Sequence, residues 1–288
     1  MKFNAKFLLV AVCAALALVS CNKDNDKQEA KFDAPKYANK AVKVTINDSN
    51  ASVDLNGKAV SDIEFTESGY AVIGTTAVKA EGDEIVVAPY TYENGEYVIP
   101  GFGTVKIENG KITVTTSKGT VTVNVSVTET ATPAQGSQEW NLCRAWTVAD
   151  FKIVVKGGAL GSNGVGKLFT NPSMAAVKTF LVDNKVNIPQ DVVLEDYDIV
   201  DVNFTNQNTF FINFANAAPF VGVWDVTARG FHYDLTTGGN YIFNGTADGK
   251  IAFEKRNGVD YCIFTVKGAF QNGNDSYTTE VVLSLKAK

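Results

Sequence analysis

Histidine is almost missing from this chain: His232 stands alone in 288 residues. Any catalysis through imidazole would rest on that one side chain. No Gly-x-Ser-x-Gly elbow accompanies it, so a strand-edge histidine between Phe231 and Tyr233 is the expected reading, and no enzyme is expected. Cysteine is scarce too, with four in all. Together with a single histidine this excludes a zinc site of the His/Cys type. Positive charge is outnumbered, 26 Lys and Arg against 31 Asp and Glu, a net −5. Nucleic-acid binding needs clustered positive charge and is not expected. Two methionines and seven prolines leave a chain rich in Val, Thr, Ile and Phe, the composition of strands. A membrane-spanning helix needs about 20 apolar residues, and the run from Phe7 to Leu18 has only 12.

That short run carries the first positive signal. Lys2 and Lys6 precede it, and Leu18-Val19-Ser20-Cys21 closes it. The basic start, short apolar stretch and small residue before the cut fit a cleaved signal peptide over residues 1–20. The four closing residues match the lipobox at every position, which makes Cys21 the expected lipidation site. An ordinary secretory signal with a chance cysteine is the alternative. Each buried acyl methylene contributes about 0.8 kcal/mol, so the acyl chains would hold the protein at the outer membrane. From Asn22 to Glu29 the chain is polar and charged, and residues 21–40 read as a flexible tether. The run Lys23-Asp24-Asn25-Asp26 resembles the acidic export signal of surface lipoproteins in the Bacteroidetes. That resemblance implies display on the cell surface; a merely solvated tether is the other reading.

Past the tether the chain reads as hairpins. Asn56-Gly57, Asn94-Gly95, Asn109-Gly110, Asp248-Gly249 and Asn257-Gly258 are each flanked by β-branched or aromatic residues. Such pairs accept the positive φ of type I′ turns. Around Asn109-Gly110, Glu108 should face Lys111, Ile107 Ile112 and Val105 Val114, with one apolar face. Around Asn257-Gly258, Lys255 should face Asp260, Phe253 Cys262 and Ile251 Phe264, which puts Cys262 on the apolar face. Cys143 and Cys262 could form a disulfide outside the cytoplasm or stay as buried thiols.

Residues 41–128 form an N-terminal all-β domain, a meander closing as a sandwich or small barrel. Residues 129–139, rich in Pro, Gly, Ser and Thr, form a linker. Residues 140–288 form a second β domain interrupted by one helix, with Asn171 as cap, Pro172 at its first position and Met174, Val177, Phe180 and Leu181 on one face. A short turn near Pro189 and a strand at Tyr241–Asn244 are also expected.

The second half, with Leu142-Cys143-Arg144-Ala145-Trp146-Thr147-Val148, Val202-Asn203-Phe204, Thr209–Phe214 and Val221-Gly222-Val223-Trp224, resembles the lipocalin-like domains of Bacteroidetes lipoproteins. It departs from lipocalins at Arg144, where glycine would open the motif, and in placing its helix between early strands. The resemblance implies a β-barrel or strongly curved sheet and names no ligand.

Three further constellations carry candidate chemistry. Gly161–Lys167 matches Gly-x4-Gly-Lys, but Leu168 stands where a P-loop needs Ser or Thr, so no nucleotide is expected. Asp191, Glu195, Asp196, Asp198 and Asp201 are an acidic cluster; Asp196, Asp198 and Asp201 make a weak calcium candidate against the plainer reading of a solvated connection. Tyr90, Tyr92, Tyr97 and Phe102 gather around Asn94-Gly95, with Tyr92 opposite Tyr97, as a candidate binding patch or as ordinary cross-strand pairs. The expected function is a non-enzymatic envelope module, without cofactor, that binds a small molecule, glycan or protein. A structural or adhesive subunit of fimbrial type, joined by strand exchange, is the alternative.

Overall fold

A computed structural model describes residues 32, 41–47, 53–55, 58–76, 85–170, 172–185, 194–227, 230–234, 246–272 and 275–288. Cys21, Asn56-Gly57, Asn171, Pro189, Asp191 and Tyr241–Asn244 lie outside the described residues. The protein is mostly β, in two β units. One unit takes in the N-terminal residues through Ala34, of which Phe32 is described, with Ala134–Phe204 and Asn208–Lys288. The other takes in Pro35–Pro133 and Thr205–Gln207. The division at Pro133 falls within the stretch read as a linker.

The Pro35–Pro133 unit is a sheet curled into a half-barrel. β1 (Val42–Ile46), β2 (Asp54–Leu55), β3 (Lys58–Phe65), β4 (Tyr70–Thr76) and β5 (Ile85–Pro89) come first. β6 (Thr91–Glu93), β7 (Glu96–Ile99), β8 (Gly103–Glu108), β9 (Lys111–Thr116) and β10 (Gly119–Glu129) follow. The sheet runs β5-β4-β3-β1-β10-β9-β8-β7-β6, with β2 beside β3. Its two ends, β5 and β6, are separated in the chain by Tyr90 alone, so the curl must bring them together there. β10 holds the unit together: Gly119–Asn124 pair with β9 and Val125–Glu129 with β1. The β8–β9 hairpin pairs as its alternation requires, Glu108 with Lys111, Ile107 with Ile112 and Val105 with Val114. Asn109 and Gly110 take φ of 51° and 70°, the type I′ geometry. The core draws on alternate residues, among them Val44, Ile63, Phe65, Ile73, Val105 and Ile112.

The second unit is a nine-stranded sheet that returns on itself as a near-barrel. It begins with α1 (Gln138–Leu142), a short helix not foreseen in the sequence, whose cap Ser137 accepts from the Trp140 N–H at 3.0 Å. β11 (Ala145–Gly157), β12 (Val165–Thr170), α2 (Met174–Asp183) and β13 (Ile199–Phe204) follow. A meander then runs through β14 (Thr209–Phe214), β15 (Phe220–Thr227), β16 (Gly230–Asp234), β17 (Thr246–Arg256), β18 (Val259–Asn272) and β19 (Asp275–Ala287). β19 pairs with β11 from Trp146 to Gly157 and so closes the curl.

The β17–β18 hairpin has the expected register, Lys255 with Asp260, Phe253 with Cys262 and Ile251 with Phe264. Asp248-Gly249 is no turn: both residues sit inside β17, paired with His232 and Phe231 of β16. The helix buries Met174, Val177, Phe180 and Leu181 as expected. Its cap is Ser173, whose Oγ accepts from the Ala176 N–H, which leaves Pro172 before the helix and not in it.

Phe32 lies within the span read as a tether, yet it is buried in this unit's core. Its ring meets Phe253 edge-on at 5.4 Å and lies beneath the Arg144 guanidinium at 5.1 Å. Arg144 in turn pairs with buried Asp260 at 3.1 Å.

Candidate functional site

Aromatic rings fill much of the near-barrel. Phe204 lies parallel to Phe264 at 5.6 Å and meets Trp224 edge-on at 5.9 Å. A cavity of about 190 Å3 remains. Val148 and Phe151 of β11, Pro172 and Met174 at the head of α2, Ile199 of β13 and Leu283 of β19 line it. All six side chains are apolar.

Strand pairing explains why a space exists there. One edge of β11 belongs to β19. The other edge is divided: Ala145 and Trp146 pair with β13, and Asp150–Val155 pair with β12. Between Trp146 and Asp150 that second edge has no strand against it among the described residues. β11 and β13 are each irregular here, in their pairings with β19 and β14 respectively. The register of β11 shifts between Val148 and Asp150, and that of β13 between Ile199 and Asp201. A bulge bends its strand and interrupts the ladder locally. Val148 and Ile199, both on the cavity wall, stand at the two irregularities.

The chain that leaves β12 at Thr170 and returns at Ile199 carries α2, and its first turn forms the remaining wall. The Met174 N–H donates to the Asp198 carboxylate, which satisfies a helix-end donor that the helix itself cannot. Lys178 pairs with Glu195 at 3.0 Å, and Phe180 meets Phe169 of β12 edge-on at 5.8 Å. The lining side chains offer apolar contact, with backbone polar groups exposed among them.

The aromatic patch is largely core. Tyr90, Tyr97 and Phe102 are buried, and only Tyr92 is exposed, at 47%. Tyr97 stacks on Phe65 at 3.8 Å, and the Tyr90 hydroxyl donates to the Thr66 carbonyl at 2.7 Å. Burial, with Tyr92 and Glu129 adding to it, pushes the Tyr97 phenol up to about 12. Tyr92 does face Tyr97, with ring centroids 4.7 Å apart, and Glu93 stands opposite Glu96 across the same turn.

Of the acidic residues, Glu195, Asp198 and Asp201 have engaged carboxylates. Asp198 caps α2. Asp201, fully buried, accepts from Asn203 and Asn213 at 2.7 Å and from Lys288. Glu195 is drawn to Lys178, and the Asp196 carbonyl accepts from the Asn216 N–H. Among the described residues no three His, Cys, Asp or Glu side chains gather where they could hold a metal ion.

Cys143 and Cys262 are buried thiols not joined in a disulfide. Burial pushes the Cys262 thiol well up, with Arg144 opposing weakly, so it is poorly nucleophilic. His232 lies on β16, paired with Asp225 and Asp248; its side chain is outside the description. Gly166, Lys167 and Leu168 of the glycine-rich run sit in β12, antiparallel to β11. A phosphate-cradling loop would instead lead into a helix. Lys167 spends its charge over the Phe169 ring at 5.0 Å.

Of the cavity lining, the sequence offered Met174 as a buried helix position and Pro172 at that helix's start, without the cavity. The usable signal was Val148-Ala149-Asp150, where strand alternation stumbles. Compared with family models, with curated proteins and with solved structures, the chain matches none of them. Its function is therefore argued from its own geometry.

Proposed function

We propose that this protein is a lipid-anchored lipoprotein of the outer membrane whose near-barrel unit is a non-enzymatic binding module. The cavity of about 190 Å3 behind the divided edge of β11 carries the binding part of this reading. Its lining side chains are apolar, it lies where β12 and β13 divide one edge of β11, and the first turn of α2 forms one of its walls. Leu18-Val19-Ser20-Cys21 supports the anchoring part.

Expression in a bacterium with a lipoprotein pathway tests both parts. Intact mass should show an acylated Cys21 at the amino terminus, and native mass spectrometry of the membrane-extracted protein should show a bound small molecule released on denaturation. A retained Met1 with the protein in the cytosol would overturn the anchoring part. A mature protein without any bound species, and without a thermal shift against lipids and glycans, would overturn the binding part.

A second reading, a surface subunit joined by strand addition, draws on the outer edge of β12. That strand pairs only with β11 among the described residues, and its Leu168 is 61% exposed. Polymers on the cell surface that vanish with a proline at Leu168 would favour it.

A further inference from the structure

We propose that the half-barrel unit holds a calcium ion at its β3–β4 turn, with the carboxylates of Glu64 and Glu67 and the side-chain oxygen of Asn206 as its protein ligands. The site stands apart from the cavity of the near-barrel and from the anchor, and depends on neither.

The turn is fixed before any ion arrives. The Tyr90 hydroxyl and the Gly69 N–H both donate to the Thr66 carbonyl, at 2.7 and 3.2 Å, and the Tyr70 N–H donates to the Thr66 hydroxyl at 3.1 Å. Glu64, near the end of β3, is 2% exposed, and its Oε1 accepts from the buried Thr205 hydroxyl at 2.6 Å. Thr205–Gln207 belong to this same unit. Glu67 stands on the turn itself, where burial first and the Glu64 charge second raise its carboxyl. Two carboxylates thus share a place largely stripped of water, and a bound cation is what lets both stay ionised there.

Asn206 is the independent sign. It is 8% exposed, and its backbone N–H and its side-chain amide both lie toward the Glu67 carboxylate. Yet neither the nitrogen nor the oxygen of that amide has a hydrogen-bond partner. Buried polar groups are nearly always paired. A carboxamide can present either end to a neighbour, because its two ends have nearly the same shape. With a cation beside the carboxylates the oxygen end turns in and becomes a ligand.

The donors set the class of ion. Oxygen ligands alone select a hard cation. Calcium accepts a mixed shell of carboxylate, amide and water oxygens, and the partly exposed Glu67 leaves water a way in. Magnesium demands a near-ideal octahedron and gives up its water reluctantly. With only two charged ligands the affinity falls among the weak sites of extracellular modules, at a Kd on the order of 10⁻⁴–10⁻³ M.

Calorimetry on the full chain, first stripped with a chelator, should show saturable calcium binding in that range. Terbium should bind in its place and luminesce on tyrosine excitation, since Tyr90 bonds the residue next to Glu67, and calcium should abolish that signal by displacement. Glu67→Gln should weaken calcium at least tenfold with the circular dichroism unchanged. Asn206→Asp adds a third carboxylate. It should lower the melting temperature in chelator, recover it in calcium, and bind calcium at least fivefold more tightly than the natural chain, a gain that a merely structural asparagine would not give. Asp196→Asn, in the acidic stretch before β13, should leave the affinity as it is.

No saturable binding with calcium raised well above that range would overturn the proposal. Unchanged affinity in a folded Glu67→Gln protein would overturn it equally. Should that variant fail to fold, an Asn206→Asp protein that binds calcium no more tightly than the natural chain does the same. Binding lost in Asp196→Asn and kept in Glu67→Gln would place the ion at the other acidic stretch and overturn this site.

Discussion

At the scale of single residues, Phe32 is the most consequential side chain outside the cavity. It is 3% exposed and joins Trp146, Phe253 and Arg144 in one cluster. Phe32→Ala should cost about 3–5 kcal/mol of near-barrel stability, read from the denaturant midpoint by tryptophan fluorescence. Its role was invisible in the sequence, because one phenylalanine in a polar stretch gives no periodicity to read. The buried pair Arg144–Asp260 behaves similarly: Asp260→Asn strands a buried guanidinium, and removing one partner of such a pair costs about 3–5 kcal/mol. Glu67 predicts a pH effect. Burial first and Glu64 second push its carboxyl from 4.5 up to about 7, with Asn206 opposing. The folded state thus holds its proton more tightly than the unfolded chain does. The stabilisation is complete below pH 4.5 and is lost as pH rises through 7. Melting of the half-barrel unit should be later at pH 5 than at pH 8, and Glu67→Gln should flatten that difference.

Among the elements, hairpins were legible because turn chemistry and alternation agree within a dozen neighbouring residues. Asn109-Gly110 and Asn257-Gly258 each set a register that the pairing then follows. Asp248-Gly249 shows the limit. The same dipeptide chemistry lies flat within β17, because pairing with β16 overrides a local preference. The divided edge of β11 could not be read at all, since it depends on which of β12, β13 and β19 reaches each part of the strand. The aromatic patch was legible as cross-strand pairing, but its burial depends on Phe65, a partner far along the chain. Gly258 has φ of 79° with open space where a Cβ would go. Gly258→Ala should therefore cost about 1 kcal/mol through backbone strain alone, measured as a shift in denaturant midpoint with an unchanged slope.

For the whole molecule, the fold supplies two β units, and the anchoring account adds an acyl-modified Cys21 ahead of them. Phe32, buried in the near-barrel core, stands only 11 positions after that cysteine in the chain. Fractionation of the envelope should therefore recover the protein with membranes, and Cys21→Ser should release it. The most direct measurement is a crystal structure of the protein extracted from those membranes without delipidation. The account predicts density for a bound small molecule lodged among Met174, Phe151 and Leu283. Side chains of the protein itself filling that space, with α2 packed down onto β11, would contradict it.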